Sequence, residues 1–382
     1  MAEGKSARTL NPPVLILENS LHMTGAFVSA LEIARLLRVD RDVEFLLPAA
    51  STLGPIIESR GMVCHKLPMS EIGRAWQKLL KYVPLLLLNT VRLARILRHR
   101  NIQILVINDY YNLLGFMVRI TGWRGIILTF VRLMPFNQQP LLNRVWTALT
   151  LWCSDKVLAV SKAVRGQLPL SRKVQVLYNP EHFEERLLPS EILIGSGIVR
   201  CLYLSNYIAG KGQMIGLKAF AEAYRVNPSL RLLFVGGDMG LEKNRQLRKS
   251  LEQTAIQLGL QDVVTLQGYS DDVEQDIKQA DIILNFSESE SFSRTCLEAC
   301  AFGRPVIATR CGGPEEIIDD GVSGFLVPVG DAPAMTEAML KLAEDADLRK
   351  RMGQAGSIIV RARFSQDHFL AEFLPLCEMR VA

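Results

Sequence analysis

Residues 287–326 read SESESFSRTCLEACAFGRPVIATRCGGPEEIIDDGVSGFL and follow an apolar run at positions 281–286, DIILNF. The apolar run is typical of a buried strand, and a helical pattern begins near Arg294. A loop from the carboxyl end of a strand to a helix is where open α/β sheets bind ligands, because free backbone N–H groups and the positive helix end meet there. Glu290 and Glu298 lie in this loop and helix, so we expect both carboxylates to face one ligand site.

Four short motifs in this stretch carry a family resemblance. They are ESFSRTCLE at 290–298, EACAFGRPV at 298–306, GGPEEI at 312–317 and DGVSG at 320–324. In this order they resemble the nucleotide-sugar site of glycosyltransferase family 4, the retaining enzymes among the glycosyl transferases group 1. The resemblance implies an α/β protein of the GT-B fold, with two Rossmann-like, doubly wound parallel-sheet domains and an interdomain cleft.

Length and composition agree with two cores. The 382 residues exceed one typical domain, and a hydrophobic content of 49% argues against disorder. The first ten residues lack the apolar segment of a signal peptide, and no apolar run approaches the roughly 20 residues of a spanning helix. Seven scattered cysteines and five isolated histidines indicate a reducing compartment and no metal site. We therefore expect a cytoplasmic protein.

Strand patterns alternate with helical ones along the whole chain, which predicts parallel sheets. We expect a first domain over residues 1–185, a linker over 186–197 and a second domain over 198–364. By the family resemblance, the first domain binds the acceptor, the second binds the nucleotide sugar, and a C-terminal helix at 365–382 crosses back onto the first domain.

Charge divides unevenly between the halves. Residues 1–190 carry a net charge of +11 and residues 191–382 a net charge of −6. Within residues 70–100, seven basic residues and one acid are interleaved with aromatic and aliphatic side chains. This composition suits an anionic membrane surface, so we expect peripheral contact on the inner membrane face and no nucleic-acid partner. The alternative is a pair of helices that pack their leucines on the sheet and expose their arginines to water. We expect Pro84 to separate the two helices.

Two positions of the first domain are candidate site residues. Gly25 lies in the turn after the first strand, where a glycine lets the backbone approach a ligand. Arg132 occupies the place where the family usually has a histidine beside the reacting sugar. An arginine cannot accept a proton at neutral pH but can hold an anionic group.

The second domain has a basic turn after its first strand. The family commonly reads Gly-Arg-x-x-x-x-Lys-Gly there, and this chain keeps Lys211 and Gly212 but has Asn206 in place of the arginine. The resemblance implies that Asn206 and Lys211 hold the donor diphosphate without a metal. Tyr269 resembles the family's base-binding turn, and we expect it either to stack on the base or to pack on the core.

The resemblance also assigns roles around Glu290. Glu290 would bind the transferring sugar, Glu298 would bind the ribose, and Lys211 and Arg132 would complete the catalytic set. The loop and first helical turn would bind the donor through Ser291, Phe292, Ser293, Arg294 and Thr295.

The sequence thus predicts a metal-independent, retaining glycosyltransferase of the hexosyltransferase type without a cofactor. It would move a sugar from a nucleoside diphosphate, UDP or GDP, to a lipid-linked or polysaccharide acceptor in cell-surface glycan biosynthesis. Retention in the family is thought to proceed by front-face displacement, in which the donor phosphate receives the acceptor proton. The alternatives are a sugar phosphorylase or nucleotide-sugar epimerase on the same fold, and a non-catalytic nucleotide-sugar-binding subunit.

Overall fold

The computed structural model describes residues 11–69, 76–134, 140–181 and 197–379. The chain divides into two compact units. The first unit comprises Met1–Glu181 with Gln366–Ala382, and the second comprises His182–Ser365. The expected linker, except its last residue, lies outside the described residues.

The first unit is built on a parallel sheet whose described strands run in the order β3-β2-β1-β4-β5-β6-β7. The strands are β1 (Asn11–Leu17), β2 (Arg41–Pro48), β3 (Val63–Leu67), β4 (Ile104–Ile107), β5 (Ile126–Val131), β6 (Lys156–Ala159) and β7 (Val174–Val176). The helices are α1 (Gly25–Leu37), α2 (Gly54–Ser59), α3 (Trp76–His99), α4 (Leu113–Met117), α5 (Pro140–Cys153), α6 (Lys162–Gly166) and, at the end of the chain, α14 (Gln366–Cys377), with a 3-10 helix at Val118–Thr121.

The second unit has a parallel sheet in the order β10-β9-β8-β11-β12-β13 over its described residues. The strands are β8 (Val199–Leu204), β9 (Leu230–Val235), β10 (Val264–Gln267), β11 (Ile282–Asn285), β12 (Val306–Thr309) and β13 (Gly324–Val327). The helices are α7 (Gln213–Val226), α8 (Glu242–Gln257), α9 (Val273–Gln279), α10 (Arg294–Ala301), α11 (Pro314–Ile317), α12 (Ala332–Glu344) and α13 (Ala346–Arg363).

The apolar runs of the sequence form the central strands of both sheets. β1 and β4 are parallel neighbours in one sheet, and β8 and β11 are parallel neighbours in the other. In each sheet the strand order reverses between these two neighbours. Both strand pairs are buried on both faces, which explains their near-continuous apolar sequences. The predicted doubly wound α/β architecture of both halves is confirmed.

An aromatic group fills the centre of the second unit beneath its strand ends. The ring of Tyr203 stacks on Phe234 with centroids 5.2 Å apart and meets Phe286 edge-on at 5.9 Å. All three side chains are buried, and each contributes roughly 1.5–3 kcal/mol through removal of apolar surface from water. This packing fixes the ends of β8 and β11 relative to each other.

The expected break at Pro84 does not occur. α3 is a single helix of 24 residues with Pro84 inside it. Proline removes one backbone donor, at a cost of about 3 kcal/mol, but Leu93, Ala94 and Leu97 of the same helix are buried in the core of the first unit. This packing outweighs the missing bond. Residues 70–75 of the expected membrane segment lie outside the described residues.

The C-terminal helix α14 packs within the first unit. Its Phe373 ring stacks on Phe130 of β5, with centroids 6.1 Å apart. At the start of the helix, the Gln366 side-chain amide donates a hydrogen bond to Glu32 of α1 at 2.7 Å. The chain therefore returns to its first unit after completing the second.

Candidate active site

Two loops of the second unit meet where its strand order reverses. Residues 205–212 follow β8 and residues 286–293 follow β11. The backbone N–H of Glu288 donates to the carbonyl of Gly210 at 2.8 Å, which joins the loops directly. The first loop leads into α7 and the second into α10, so the N-termini of two helices follow the two loops.

Lys211 and Glu290 form an ion pair between these loops. Lys211 Nζ lies 2.7 Å from Glu290 Oε1, and the Ser287 hydroxyl donates to the same oxygen at 2.8 Å. The carboxylate side chain is only 12% exposed, whereas the lysine is 30% exposed. The structure therefore brings together two of the three predicted catalytic residues and fixes the carboxylate with two donors.

Gly212 permits this close approach of the loops. It begins α7 with a φ of 73°, in the left-handed region that favours glycine. A Cβ at this position would lie 1.9 Å from the carbonyl oxygen of Phe286. Any other residue would push the two loops apart, so the glycine is a requirement of the site's geometry.

Asn206 uses its side chain to hold a neighbouring turn. Its Oδ1 accepts the backbone N–H of Gly237 at 2.9 Å, and its carbonyl accepts a bond from the Gln213 side chain at 2.8 Å. Because Oδ1 is used by this bond, the side-chain NH₂ group is the part of the amide that can donate to a ligand. Asn206 therefore offers a neutral donor where the resemblance expects a cation.

The start of α10 adopts a strained conformation. Ser293 has a φ of 74°, which is uncommon for a residue with a side chain. The Asn285 side chain donates to its hydroxyl at 2.9 Å, and the hydroxyl accepts from the backbone N–H of Cys296 at the first turn. These contacts hold the turn that presents Ser291 and the backbone of Phe292. The Phe292 ring itself is buried and packs edge-on against Phe364 at 5.4 Å.

Glu298 and Arg294 pair with each other along α10. Arg294 Nη2 lies 2.6 Å from Glu298 Oε1, one turn apart, and both side chains are about one-fifth exposed. Thr295 is anchored to β8 by a bond from its hydroxyl to the carbonyl of Leu204 at 3.2 Å. The predicted ribose-binding carboxylate thus carries a cationic partner that a ligand can displace.

Tyr269 lies two residues beyond β10 and is 60% exposed. The expectation that its ring packs on the core is therefore wrong, and base stacking stays a prediction. The turn before it is held by the Tyr207 hydroxyl, which donates to the carbonyl of Gln267 at 2.7 Å.

The predicted residues of the first unit lie at the carboxyl edge of its sheet. Arg132 follows β5 and is 7% exposed. Its Nε donates to Asn108 Oδ1 at 2.6 Å, its Nη1 bonds to Asn179, and its guanidinium lies over the Phe130 ring at 4.4 Å. Gly25 is exposed as the first residue of α1 and does not adopt positive φ. The structure thus shows Arg132 as a buried, fixed cation.

Tyr203 is a residue that sequence reasoning missed. Its hydroxyl donates to the carbonyl of Lys211 at 2.5 Å and accepts the backbone N–H of Phe286 at 2.9 Å. It therefore ties both loops together from below, and burial raises the pKa of its hydroxyl far above the ordinary value. A tyrosine inside a largely buried strand needs a partner for its hydroxyl, and the sequence pattern of β8 could have indicated this.

The neighbouring thiol, that of Cys311, is not a reactive group. Burial raises the pKa of Cys311, whose carbonyl accepts the backbone N–H of Glu290, to about 11. Among the residues that the structure describes, no group of three or more His, Cys, Asp or Glu side chains is arranged to hold a metal ion.

Solved structures share this two-unit architecture. HepE of Anabaena in complex with UDP and glucose superposes with a TM-score of 0.79 at 22% identity, covering 95% of this chain and 99% of that one. The apo form of the lipopolysaccharide outer core galactosyltransferase WaaB gives a TM-score of 0.71 at 17% identity, covering 96% and 98%. With two Rossmann-like parallel-sheet units, the protein has the GT-B fold.

Sequence comparison relates the second unit to a family of transferases. Residues 194–358 match the family model described as glycosyl transferases group 1. N-acetyl-alpha-D-glucosaminyl L-malate synthase of Bacillus anthracis is 28% identical over 232 residues, 58% of each chain. The lipopolysaccharide core biosynthesis glycosyltransferase LpsD of Rhizobium meliloti is 29% identical over 177 residues, 46% of this chain and 50% of that one. The chain therefore spans about half the length of these curated relatives.

Proposed function

We propose that the protein is a retaining hexosyltransferase of glycosyltransferase family 4 that uses a nucleoside-diphosphate sugar as donor. The observation that carries the proposal is the Lys211–Glu290 pair, fixed between two loops where the second sheet reverses its strand order. This is the position at which open α/β sheets bind nucleotides. The lysine is suited to the departing diphosphate, and the carboxylate to the sugar whose transition state carries positive charge.

Backbone groups supplement the single lysine. The N-termini of α7 and α10 follow the two loops, and helix N-termini bind phosphate groups. The Asn206 amide adds a neutral donor, and Arg294 becomes available when ribose hydroxyl groups take its place at Glu298. We therefore propose that the diphosphate binds without a metal ion, with Tyr269 stacked on the base.

UDP is the favoured nucleotide. The HepE structures contain UDP, UDP-glucose, or UDP with glucose. Two relatives are named for lipopolysaccharide core biosynthesis, which supports a role in the synthesis of a cell-surface glycan on a lipid-linked or polysaccharide acceptor. The proposed compartment is the cytoplasm, at the inner face of the membrane.

Contact with an anionic membrane is proposed through α3. No helix in the described ranges is long and apolar enough to cross a bilayer. The outer face of α3 nevertheless exposes four apolar side chains ahead of its basic last turns: Val83, Leu87, Leu88 and Val91. Each Lys or Arg near an anionic surface contributes about 1 kcal/mol to binding.

Charge reversal tests the membrane proposal. Replacing Arg92, Arg95 and Arg98 by glutamate should release the protein from anionic vesicles in a flotation assay. The matched control reverses three exposed basic residues of α8 in the second unit, Lys243, Arg245 and Lys249. Equal retention of both variants on the vesicles would refute contact through α3.

The phosphorylase alternative receives no support from the first unit. It requires Arg132 to face a phosphate group, but this arginine is buried and donates to two asparagine side chains. The proposed transferase requires no phosphate at that position.

Calorimetric titration with UDP, GDP and ADP in the presence of EDTA tests the donor site. We expect UDP to bind, Lys211→Ala to lose binding, and Lys218→Ala, an exposed lysine on α7, to keep it. Slow hydrolysis of the UDP-sugar, followed by NMR, should release the sugar with its anomeric configuration retained.

The outcomes separate the alternatives. Binding without hydrolysis would support a non-catalytic subunit, and turnover that depends on inorganic phosphate would support a phosphorylase. Absence of nucleotide binding would refute the donor site.

A further inference from the structure

A second polar cluster lies at the carboxyl edge of the first sheet, between the loops that follow β1 and β4. The Asn19 amide donates to Asp109 Oδ2 at 2.9 Å, and the Asn112 amide donates to Asn19 Oδ1 at 2.6 Å. Asp109 Oδ1 accepts the backbone N–H of Tyr111 at 2.9 Å. Asn19 and Asp109 are partly exposed, and a carboxylate oxygen can accept more than one bond. The cluster is thus oriented and retains capacity for a ligand.

The cluster occupies the position where the strand order reverses. β2 and β3 lie on one side of β1, and β5, β6 and β7 lie on the other side of β4. At such a reversal the connecting segments leave in opposite directions, and a crevice opens beyond the strand ends. The candidate site of the second unit lies at the equivalent position between β8 and β11. The first sheet therefore places the cluster where sheets of this kind bind small molecules.

Tyr111 adds an aromatic surface to this edge. Its ring centroid lies 4.9 Å from that of Tyr110 and 5.7 Å from that of Trp146. The Trp146 indole N–H donates to the carbonyl of Tyr110 at 2.7 Å, so the three rings form one assembly. A partly exposed ring on the same loop as the Asp109 carboxylate suits a sugar, which has an apolar C–H face and hydroxyl groups that donate and accept.

Local charge favours hydroxyl groups over a phosphate. Asp109 is one carboxylate at this edge, and Glu18 is a second, buried one that accepts bonds from Ser20. A sugar hydroxyl can donate a charge-assisted bond to the partly exposed Asp109, whereas this carboxylate would repel a phosphate. Glu18 is 2% exposed, and its charge is offset through Asn108, which donates to Glu18 and accepts from Arg132.

We propose that Asn19, Asp109 and Tyr111 form a binding site for the hydroxyl groups of a neutral sugar. The inference rests on the proposed function and deepens it, because this sugar is the accepting part of the acceptor. Asp109 binds hydroxyl groups, Asn19 holds the carboxylate in place, and Tyr111 supports the sugar ring.

The opposite edge of the same sheet supplies a matched control. There the Asn11 amide donates to Asp40 Oδ2 at 2.8 Å, which is the same type of bond between the same residue types. This pair lies at the amino end of β1, away from the position at which such sheets bind ligands. Asp40 also pairs with the buried Arg41 at 3.1 Å. Asp40→Asn therefore makes the same change of side chain outside the proposed site, and thermal melting measures the cost of the lost ion pair.

Ligand-observed NMR on the full chain tests the proposal. The probes are the methyl glycosides of glucose, galactose, mannose and N-acetylglucosamine. At least one should bind the unmodified protein, with affinity reduced about tenfold by Asp109→Asn and unchanged by Asp40→Asn. Tyr111→Leu, which keeps the backbone bond to Asp109, should also weaken binding, and thermal melting checks that each variant folds.

The result is independent of the nucleotide site. Lys211→Ala should leave glycoside binding unchanged, and Asp109→Asn should leave UDP binding unchanged. No glycoside binding to the unmodified protein, or equal binding by Asp109→Asn, would overturn the sugar site even if UDP binds. Absence of UDP binding to the unmodified protein, with glycoside binding intact, would instead refute the proposed donor site.

Discussion

Replacing Glu290 by glutamine should tighten the binding of free UDP and strongly slow sugar transfer. In the structure, Lys211 Nζ is held 2.7 Å from the Glu290 carboxylate. A diphosphate must draw this lysine away from a carboxylate that is only 12% exposed. In the Glu290→Gln variant, Lys211 is bonded to a neutral amide oxygen. Residue 290 then competes less strongly with the diphosphate for the lysine.

The size of the effect follows from the burial of the pair. A hydrogen bond between charged groups contributes about 1.5–3 kcal/mol, and a neutral one about 0.5–1.5 kcal/mol. Because Lys211 is 30% exposed, solvent screens the pair, and we take a low value for the difference between the charged and the neutral bond, about 1 kcal/mol. UDP should therefore bind Glu290→Gln about fivefold more tightly. Transfer should fall by about a hundredfold, because the charge that stabilises the transition state is absent.

Calorimetry with UDP measures the first effect, and the rate of sugar release from the UDP-sugar measures the second. Glu288→Gln is the matched control, because this exposed residue lies in the same loop and loses the same charge. Its UDP affinity should change by less than about twofold. If Glu290→Gln binds UDP no more tightly than the unmodified protein while the control is unchanged, the ion pair does not compete with the diphosphate.

Further expectations concern the geometry of the two loops. In thermal denaturation, Gly212→Ala should destabilise the protein by more than Gly259→Ala. Both glycines have positive φ, where alanine costs about 1–2 kcal/mol, but only a Cβ at Gly212 would also clash with a carbonyl. Equal losses of stability would show that the two loops can separate. Tyr203→Phe should weaken UDP binding about tenfold, because the loop that carries Lys211 loses its anchor; wild-type affinity in a folded variant would refute this role. Added salt should weaken UDP binding more in Glu290→Gln than in the unmodified protein, since its lysine charge is uncompensated, and titrations at two salt concentrations measure the difference.

The architecture was predictable because buried parallel strands are nearly continuous apolar runs. The runs at 199–204 and 281–286 correspond to β8 and β11, and strands that alternate with helices permit few other arrangements. The helix break predicted at Pro84 was wrong because the prediction considered only the proline. It did not consider Leu93 and Leu97, later in α3, whose packing in the core stabilises the helix.

The residues of the candidate site could be predicted from the sequence, but the contacts between them could not. Lys211 and Glu290 were assigned from motifs 79 residues apart, and only the fold shows that they form an ion pair. Tyr203 carries no motif, and its role depends on the two backbone groups that the fold places around its hydroxyl. Asp109 and Asn19 are 90 residues apart and likewise meet only because β1 and β4 are neighbours in the sheet.

The replacement of the usual arginine by Asn206 changes how the donor site can attract a diphosphate. Lys211 is paired with Glu290 and Arg294 with Glu298, so these four side chains carry no net charge before a ligand arrives. Paired charges screen each other, and the attraction that remains comes from backbone N–H groups at the starts of α7 and α10. Free UDP offers its ribose hydroxyl groups to Glu298 but gives Glu290 no partner in place of Lys211, whereas a complete nucleotide sugar offers hydroxyl groups to both carboxylates. If the proposed function is correct, Glu290 therefore favours the intact donor over the nucleotide released from it, and that difference promotes product release.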